Sequence, residues 1–174
     1  MKTNNGDVEN LSGQPAIDKF KNLVKHNPMC LFVTNLSEIP LQARPMTTQK
    51  VCDQGNFWFL SARDSNKNDD IMSGSDVQLF FANSSDSEYL SVYGEAAIIQ
   101  DKSKIDELWT PVAKAWFTEG KDDPRITVIK VTPKDAHYWD TKSGKMISLL
   151  TIAAAAITGE TKDNGIEGRI SLTH

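Results

Sequence analysis

Cysteine is scarce in this sequence. Cys30 and Cys52 are the only two in 174 residues, and they have no paired spacing that builds a zinc site or a redox couple. Two buried free thiols in a reducing cytoplasm are expected instead. The three histidines are scattered: His26 ends a helical stretch, His137 lies beside aromatics, and His174 is the last residue, a pattern that argues against a hydrolase built on a histidine base. Basic residues are outnumbered, 19 Lys+Arg against 23 Asp+Glu, which excludes nucleic acid as a bulk electrostatic partner while leaving room for a local anion site. Long hydrophobic runs are missing too. The longest, Met146 to Ile157, is interrupted by Ser148 and Thr151 and falls short of the roughly 20 residues of a spanning helix, so no membrane partner is expected. The first residues, Met1 to Gly6, lack the apolar stretch of a secretory signal, which points to the cytoplasm. The dinucleotide fingerprint, the Walker loop, the His-Glu-x-x-His pair and the nucleophile elbow are all absent.

What is present suffices for one domain. Hydrophobic residues make up 39% of the chain, enough for a core without disulfide or metal staples. Residues 1–13 are polar and read as a flexible arm, residues 14–160 as the folded domain, and residues 161–174 as a polar tail. Ala16, Ile17, Phe20, Leu23 and Val24 follow the three-four rhythm of a helix that stops at Asn27-Pro28. Short strands follow over Met29 to Asn35, Leu41 to Gln49, Phe57 to Leu60, Val77 to Asn83 and Tyr89 to Ile99. Asp101 caps a second helix carrying Ile105, Leu108, Trp109, Val112 and Trp116 on one face, with a restart at Thr110-Pro111. Ile126 to Val131 and Ala136 to Trp139 read as a hairpin around Pro133-Lys134-Asp135. Ile147, Leu150, Ala154 and Ile157 describe a C-terminal helix stopped by Gly159. Helix, strands, helix, strands, helix is the order of an α+β protein built around one β-barrel.

Two stretches carry chemistry. Ser61-Ala62-Arg63-Asp64-Ser65-Asn66-Lys67 joins an aromatic strand to a short helical segment, and hydroxyls, helix-start N–H groups and a lysine make a phosphate cradle; ordinary capping explains the same residues. Arg44-Pro45-Met46-Thr47-Thr48 places an arginine, a stiffened backbone and two hydroxyls on the preceding strand. A hairpin between that strand and Phe57–Ser61 lets both stretches face one ligand, with a phosphate at one end and a flat group at the other. Trp58, Phe59 and Trp109 are expected in the core, whereas Trp116 and Phe117, beside a polar loop, are candidates for an interface or ligand contact.

These residues, together with Tyr89-Leu90-Ser91-Val92-Tyr93-Gly94-Glu95-Ala96, Leu108-Trp109, Ala115-Trp116-Phe117, Asp123-Pro124 and Tyr138-Trp139-Asp140, resemble the general stress protein 26 family. That family belongs to the pyridoxamine 5′-phosphate oxidase-like group of FMN-binding split barrels. The resemblance covers residues 14–160 and implies a six-stranded antiparallel split β-barrel with flanking helices, paired as a homodimer with FMN in interface grooves. Carried over by position, Lys67 and Ser65 hold the FMN phosphate, assisted by Arg44. Met46 and Thr47 present backbone to the ring edge, Leu60 and Ser61 line the ribityl chain and ring, and Trp116 and Phe117 reach the flavin from the partner subunit. The sequence departs from the family where Thr118 replaces a proline after the Trp-Phe pair. It also lacks the C-terminal arginine signature of true pyridoxamine phosphate oxidases, for which Gly168-Arg169-Ile170-Ser171 is a poor substitute. The implied function is an FMN-dependent oxidoreductase in a stress response. The alternatives are a non-catalytic FMN carrier, or the same barrel with haem or a deazaflavin.

Overall fold

Apolar residues three and four positions apart build the first helix, α1 (Gly13–His26), and bury Ala16, Phe20, Leu23 and Val24 as one stripe. Lys25 and His26 meet the negative end of its dipole, and the Asn27 N–H closes it on the Leu23 carbonyl at 3.1 Å before Pro28. The computed structural model describes residues 7–141 and 165–171; the expected helix over Ile147–Ile157 lies outside them. Around α1 run strands β1 (Asp7–Val8), β2 (Leu11–Ser12), β3 (Met29–Thr34), β4 (Gln42–Thr47), β5 (Lys50–Val51) and β6 (Phe57–Ala62). Helix α2 (Asn66–Ser73), β7 (Asp76–Asn83), β8 (Glu88–Ile99) and helix α3 (Lys102–Leu108) follow. Two 3-10 turns, Pro111–Ala115 and Gly120–Asp122, then lead to β9 (Ile126–Thr141) and β10 (Gly165–Ser171). The Asp101 carboxylate caps α3 by accepting from the Ser103 and Lys104 N–H groups.

The protein is α+β, with three helices on one mixed sheet of ten strands among the described residues. The hydrogen-bonded path runs β1–β10–β9–β8–β7–β3–β4, with β6 also on β9 and β5 beyond it. β1 and β2 pair with β10 in parallel, and the other ladders are antiparallel. The path does not close. No ladder joins β4 to β6; the chain itself crosses there, with the Thr48 N–H on the Pro28 carbonyl and the Gln49 N–H on the Trp58 carbonyl, each at 2.8 Å.

Two cores hold the sheet. Inside it, Phe20 meets Phe57 edge-on at 5.1 Å and Phe32 meets Phe59 at 5.2 Å, surrounded by Leu79, Val92 and Ile129. Burying each such side chain contributes about 1.5–3 kcal/mol. Outside it, Ile105, Leu108, Ala113 and Phe117 pack on Trp58, Ile126 and Val128.

Several expectations are corrected. The residues read as a free arm and a free tail are partly structural: β1 and β2 zip onto β10, and Tyr138 Oη donates to the Glu9 carbonyl at 2.7 Å. The expected hairpin around Pro133 is one continuous strand. Pro133 lies opposite Gly94 at a register shift where Lys134 is the extra residue of a bulge, so the strand bends without ending. There is no hairpin between β4 and β6: β4 pairs with β3, and β6 pairs with β5 and β9. Trp116 leaves the apolar face proposed for it, because α3 ends at Leu108 and the 3-10 turn rotates Trp116 into solvent at 64% exposure.

Candidate functional site

The site is organised by the short helix α2. β6 ends at Ala62, a turn closes with the Ser65 N–H on the Ala62 carbonyl at 3.1 Å, and α2 starts at Asn66. Beneath it, Asn68 is buried and bonded through both ends of its amide. Its Oδ1 accepts from Ser61 Oγ at 2.8 Å and Ser65 Oγ at 3.3 Å, and its Nδ2 donates to Thr127 Oγ1 at 2.9 Å. Thr127 Oγ1 in turn donates to the Ser61 carbonyl at 3.1 Å. This network pins α2 to β6 and β9.

Asp70, farther along α2, gathers a second set of donors. Its carboxylate accepts from Thr34 Oγ1 at 2.6 Å, Asn35 Nδ2 at 3.0 Å, and both terminal nitrogens of Arg44 at 3.2 and 3.3 Å. Asn35 reaches it from a left-handed backbone conformation (φ 53°), which asparagine tolerates better than most residues. Burial alone would raise the Asp70 pKa, but Thr34, Arg44 and Asn35 outweigh it and hold the carboxyl below the usual range. Helix α2 thus brings Arg44 and the Ser61–Lys67 stretch together, a job the sequence had given to a hairpin.

Lys67 stands beside this pair. It is half-buried, and its pKa is depressed first by that burial and then by Arg44; Asp64 offsets this at a distance, without an ion pair among the described residues. Arg44 is thus paired with Asp70, while Lys67 has no ion pair among the described residues.

The other expected residues divide. Met46 and Thr47 lie half-buried on β4, the last strand of the path, with the Met46 side chain packed on the inner core. Leu60 is half-buried against the outer core. The Ser61 and Ser65 hydroxyls donate to Asn68 Oδ1, Ser61 from a buried and Ser65 from a half-buried position. Phe117 is buried, 6.4 Å from Trp109 between ring centres, and is a core residue of its own chain, whereas its neighbour Trp116 projects outward. Asp70, Asn68 and Thr127 went unnoticed in the sequence. The only signal was a polar residue within an otherwise apolar strand start, Ile126-Thr127-Val128.

Two recesses lie near these residues. One of about 500 Å³ is lined by Arg63, Asn68, Ile71, Met72, Ala96 and Thr127, and one of about 250 Å³ by Lys21, Lys25, Thr48 and Lys50 among others. Arg44, Met46 and Lys67 line neither recess and are half-buried, whereas Trp116 is exposed. Among the described residues no helix is long and apolar enough to cross a membrane.

An open mixed sheet, with Arg44 of β4 held by Asp70 of α2 and the half-buried Lys67 on the same helix, defines an α+β domain. The chain belongs to the pyridoxamine 5′-phosphate oxidase-like family, which matches residues 15–163. Protein bli-3 of Neurospora crassa is 31% identical over 110 residues, covering 59% of this chain and 53% of that protein. The chain spans about half the length of the curated relatives it matches. A candidate general stress protein 26 from Jannaschia sp. CCS1 superposes with a TM-score of 0.77 at 25% identity, covering 89% of this chain and 97% of that one. The general stress FMN/FAD binding protein of Xanthomonas citri superposes with a TM-score of 0.64, also at 25% identity, over 75% of this chain and 92% of that one.

Proposed function

We propose that this chain is an FMN-binding flavoprotein acting as a flavin-dependent oxidoreductase, with the FMN phosphate on Lys67 and Arg44. The observation that carries the reading is Lys67 itself, a half-buried cation without an ion pair among the described residues, next to an arginine that Asp70 holds in place. A phosphate dianion supplies the missing charge, and N–H groups at the start of α2 add donors. The edge strand β4 offers the Met46 and Thr47 backbone to a hydrogen-bonding ring edge, and Leu60 offers an apolar wall. The Xanthomonas citri relative, named as binding FMN/FAD, supports the same ligand class. Bound there, the isoalloxazine ring supplies the electron chemistry, while the protein supplies position and charge.

The functional unit in this reading is a homodimer whose β4, Pro45 and β3 surfaces face a second copy. Leu31 lies between Pro45 and Phe80 across three adjacent strands, and Met29, Leu31 and Phe80 are all exposed. Such a contiguous apolar band, together with Trp116, is unusual on a monomer. The partner's Trp116 closes the flavin site in this arrangement, and six of the strands form the split barrel.

Absorbance of the purified protein tests the cofactor. Two flavin bands, with FMN released by heat, support the reading; failure to bind added FMN in titration refutes it. Anaerobic bleaching by NAD(P)H supports the oxidoreductase, and bound flavin that no nicotinamide reduces favours the carrier. Light scattering at micromolar concentration should give twice the 19.3 kDa chain mass.

A further inference from the structure

Three lysines line the recess of about 250 Å³ between the second half of α1 and the crossing from β4 to β5. Lys21 and Lys25 stand one helical turn apart on α1, a like-charge spacing that weakens a helix, and Lys50 comes from β5. The buried Val24 and Val51 line it as well. Lys21 is held by Asp53 at 2.5 Å and Lys50 by Glu107 at 2.7 Å, but the Asp53 side chain is itself 88% exposed. His26, next along α1, is taken by Glu88 at 3.0 Å. Lys25 is exposed and has no ion pair among the described residues.

Thr48 lines the same recess and adds a second, independent feature. It is only 5% exposed, and its hydroxyl has no hydrogen-bond partner among the described residues. The local chain accounts for this. Thr48 sits at the crossing, where its N–H donates to the Pro28 carbonyl at 2.8 Å, and Pro28 has no N–H to offer in return. The neighbouring Gln49 amide is already spent on the Thr47 carbonyl at 3.1 Å. A buried hydroxyl without a partner is costly and uncommon. An acceptor oxygen entering the recess supplies the partner that the chain does not.

We propose that this recess is an anion-binding site for a small phosphate-class ligand of about pyrophosphate size, held among the Lys21, Lys25 and Lys50 ammonium groups and accepting from the Thr48 hydroxyl. Size narrows the class. About 250 Å³ falls below the roughly 300–1,000 Å³ of pockets for drug-sized molecules, which suits a compact anion better than a nucleotide. Charge narrows it further, because ammonium groups on flexible stems receive phosphate oxygens as point charges. A bound anion relieves the Lys21–Lys25 repulsion and competes for Lys21 only with an exposed carboxylate, and surface pairs of that kind are weak. It also ties α1 to the crossing between β4 and β5. The site shares no lining residue with Lys67 and Arg44, so it does not rest on the flavin reading.

Isothermal titration of inorganic pyrophosphate into the full chain carrying Lys67→Ala tests the site, since that background removes the other phosphate cradle from the signal. Chloride holds the ionic strength constant. One saturable site per chain is expected. Adding Lys25→Ala, an exposed substitution, should weaken it about tenfold, and so should Thr48→Val, which keeps the shape and removes the hydroxyl. Adding Lys102→Ala on α3 should change nothing. No saturable binding at millimolar pyrophosphate, undiminished affinity with Lys25→Ala, or undiminished affinity in a Thr48→Val protein with native circular dichroism overturns the proposal. Where Thr48→Val does not fold, the Lys25→Ala comparison decides alone. Failure of the unmutated protein to bind FMN leaves every one of these outcomes in place, so the two readings fail separately.

Discussion

Lys67→Ala is the most direct trial of the phosphate assignment. Arg44 is paired with Asp70, and Lys67 is a half-buried cation of the cradle without an ion pair among the described residues. A charge-assisted hydrogen bond to a phosphate oxygen contributes about 1.5–3 kcal/mol, and the half-buried position of Lys67 limits solvent screening. Its loss should therefore weaken FMN roughly ten- to hundred-fold. Riboflavin, which lacks the phosphate, should bind the variant and the parent within about twofold, well under the 1.4 kcal/mol that a tenfold change requires. The fold should not suffer. The folded state depresses the Lys67 pKa, so the protonated side chain costs stability below that pKa when no anion is bound, and removing it leaves the unliganded protein no less stable at neutral pH. Lys102→Ala is the control, since Lys102 is exposed on α3 and paired with Asp106 at 2.5 Å and Asp122 at 2.9 Å. Fluorescence titration at fixed ionic strength reads all three proteins. Equal FMN affinity for Lys67→Ala and parent, or an equal loss for riboflavin, would refute the reasoning.

The same lysine sets a pH dependence: FMN affinity should fall as pH rises through its lowered pKa, earlier than an ordinary lysine at 10.5 would dictate, and riboflavin affinity should stay flat in titrations over that range. Asn68→Leu removes the bonds that Asn68 makes with the Ser61 and Thr127 hydroxyls and should cost about 0.5–1.5 kcal/mol per bond in urea unfolding; a loss below about 0.5 kcal/mol would contradict the buried network. Gly168→Ala would drive a Cβ into the Glu9 carbonyl oxygen, so amide exchange over residues 7–12 should quicken while that of β8 stays slow.

The legible parts of this fold were those fixed by local periodicity. The stripe of α1 and the Asp101 cap can be read from neighbours within a few residues, and both stand in the structure. The illegible parts depend on partners far along the chain. Pro133 reads as a turn until Gly94 is seen opposite it, and polar residues 7–12 read as an arm until β10 lies beside them. The charged residues of the cradle were visible as chemistry, but the element joining them was misjudged, because eight residues of α2 give too little periodicity to show that Asp70 turns toward Arg44. Trp116 and Phe117 looked alike in sequence. One turn of 3-10 helix sends one out and the other in.

β9 has a consequence for how the chain is made. It lies against β8 on one edge, while β6 and β10 share the other. On a ribosome, β6 and β8 are finished long before Ile126 emerges, and each waits with an open edge next to Phe57, Phe59 and Val92. A nascent chain or truncated fragment that stops short of β9 has nothing to cover those edges, which makes it a substrate for chaperones and a template for aggregation. Only when β9 is in place do β6 and β8 share one sheet, so the strand that joins both halves is among the later ones to be synthesised.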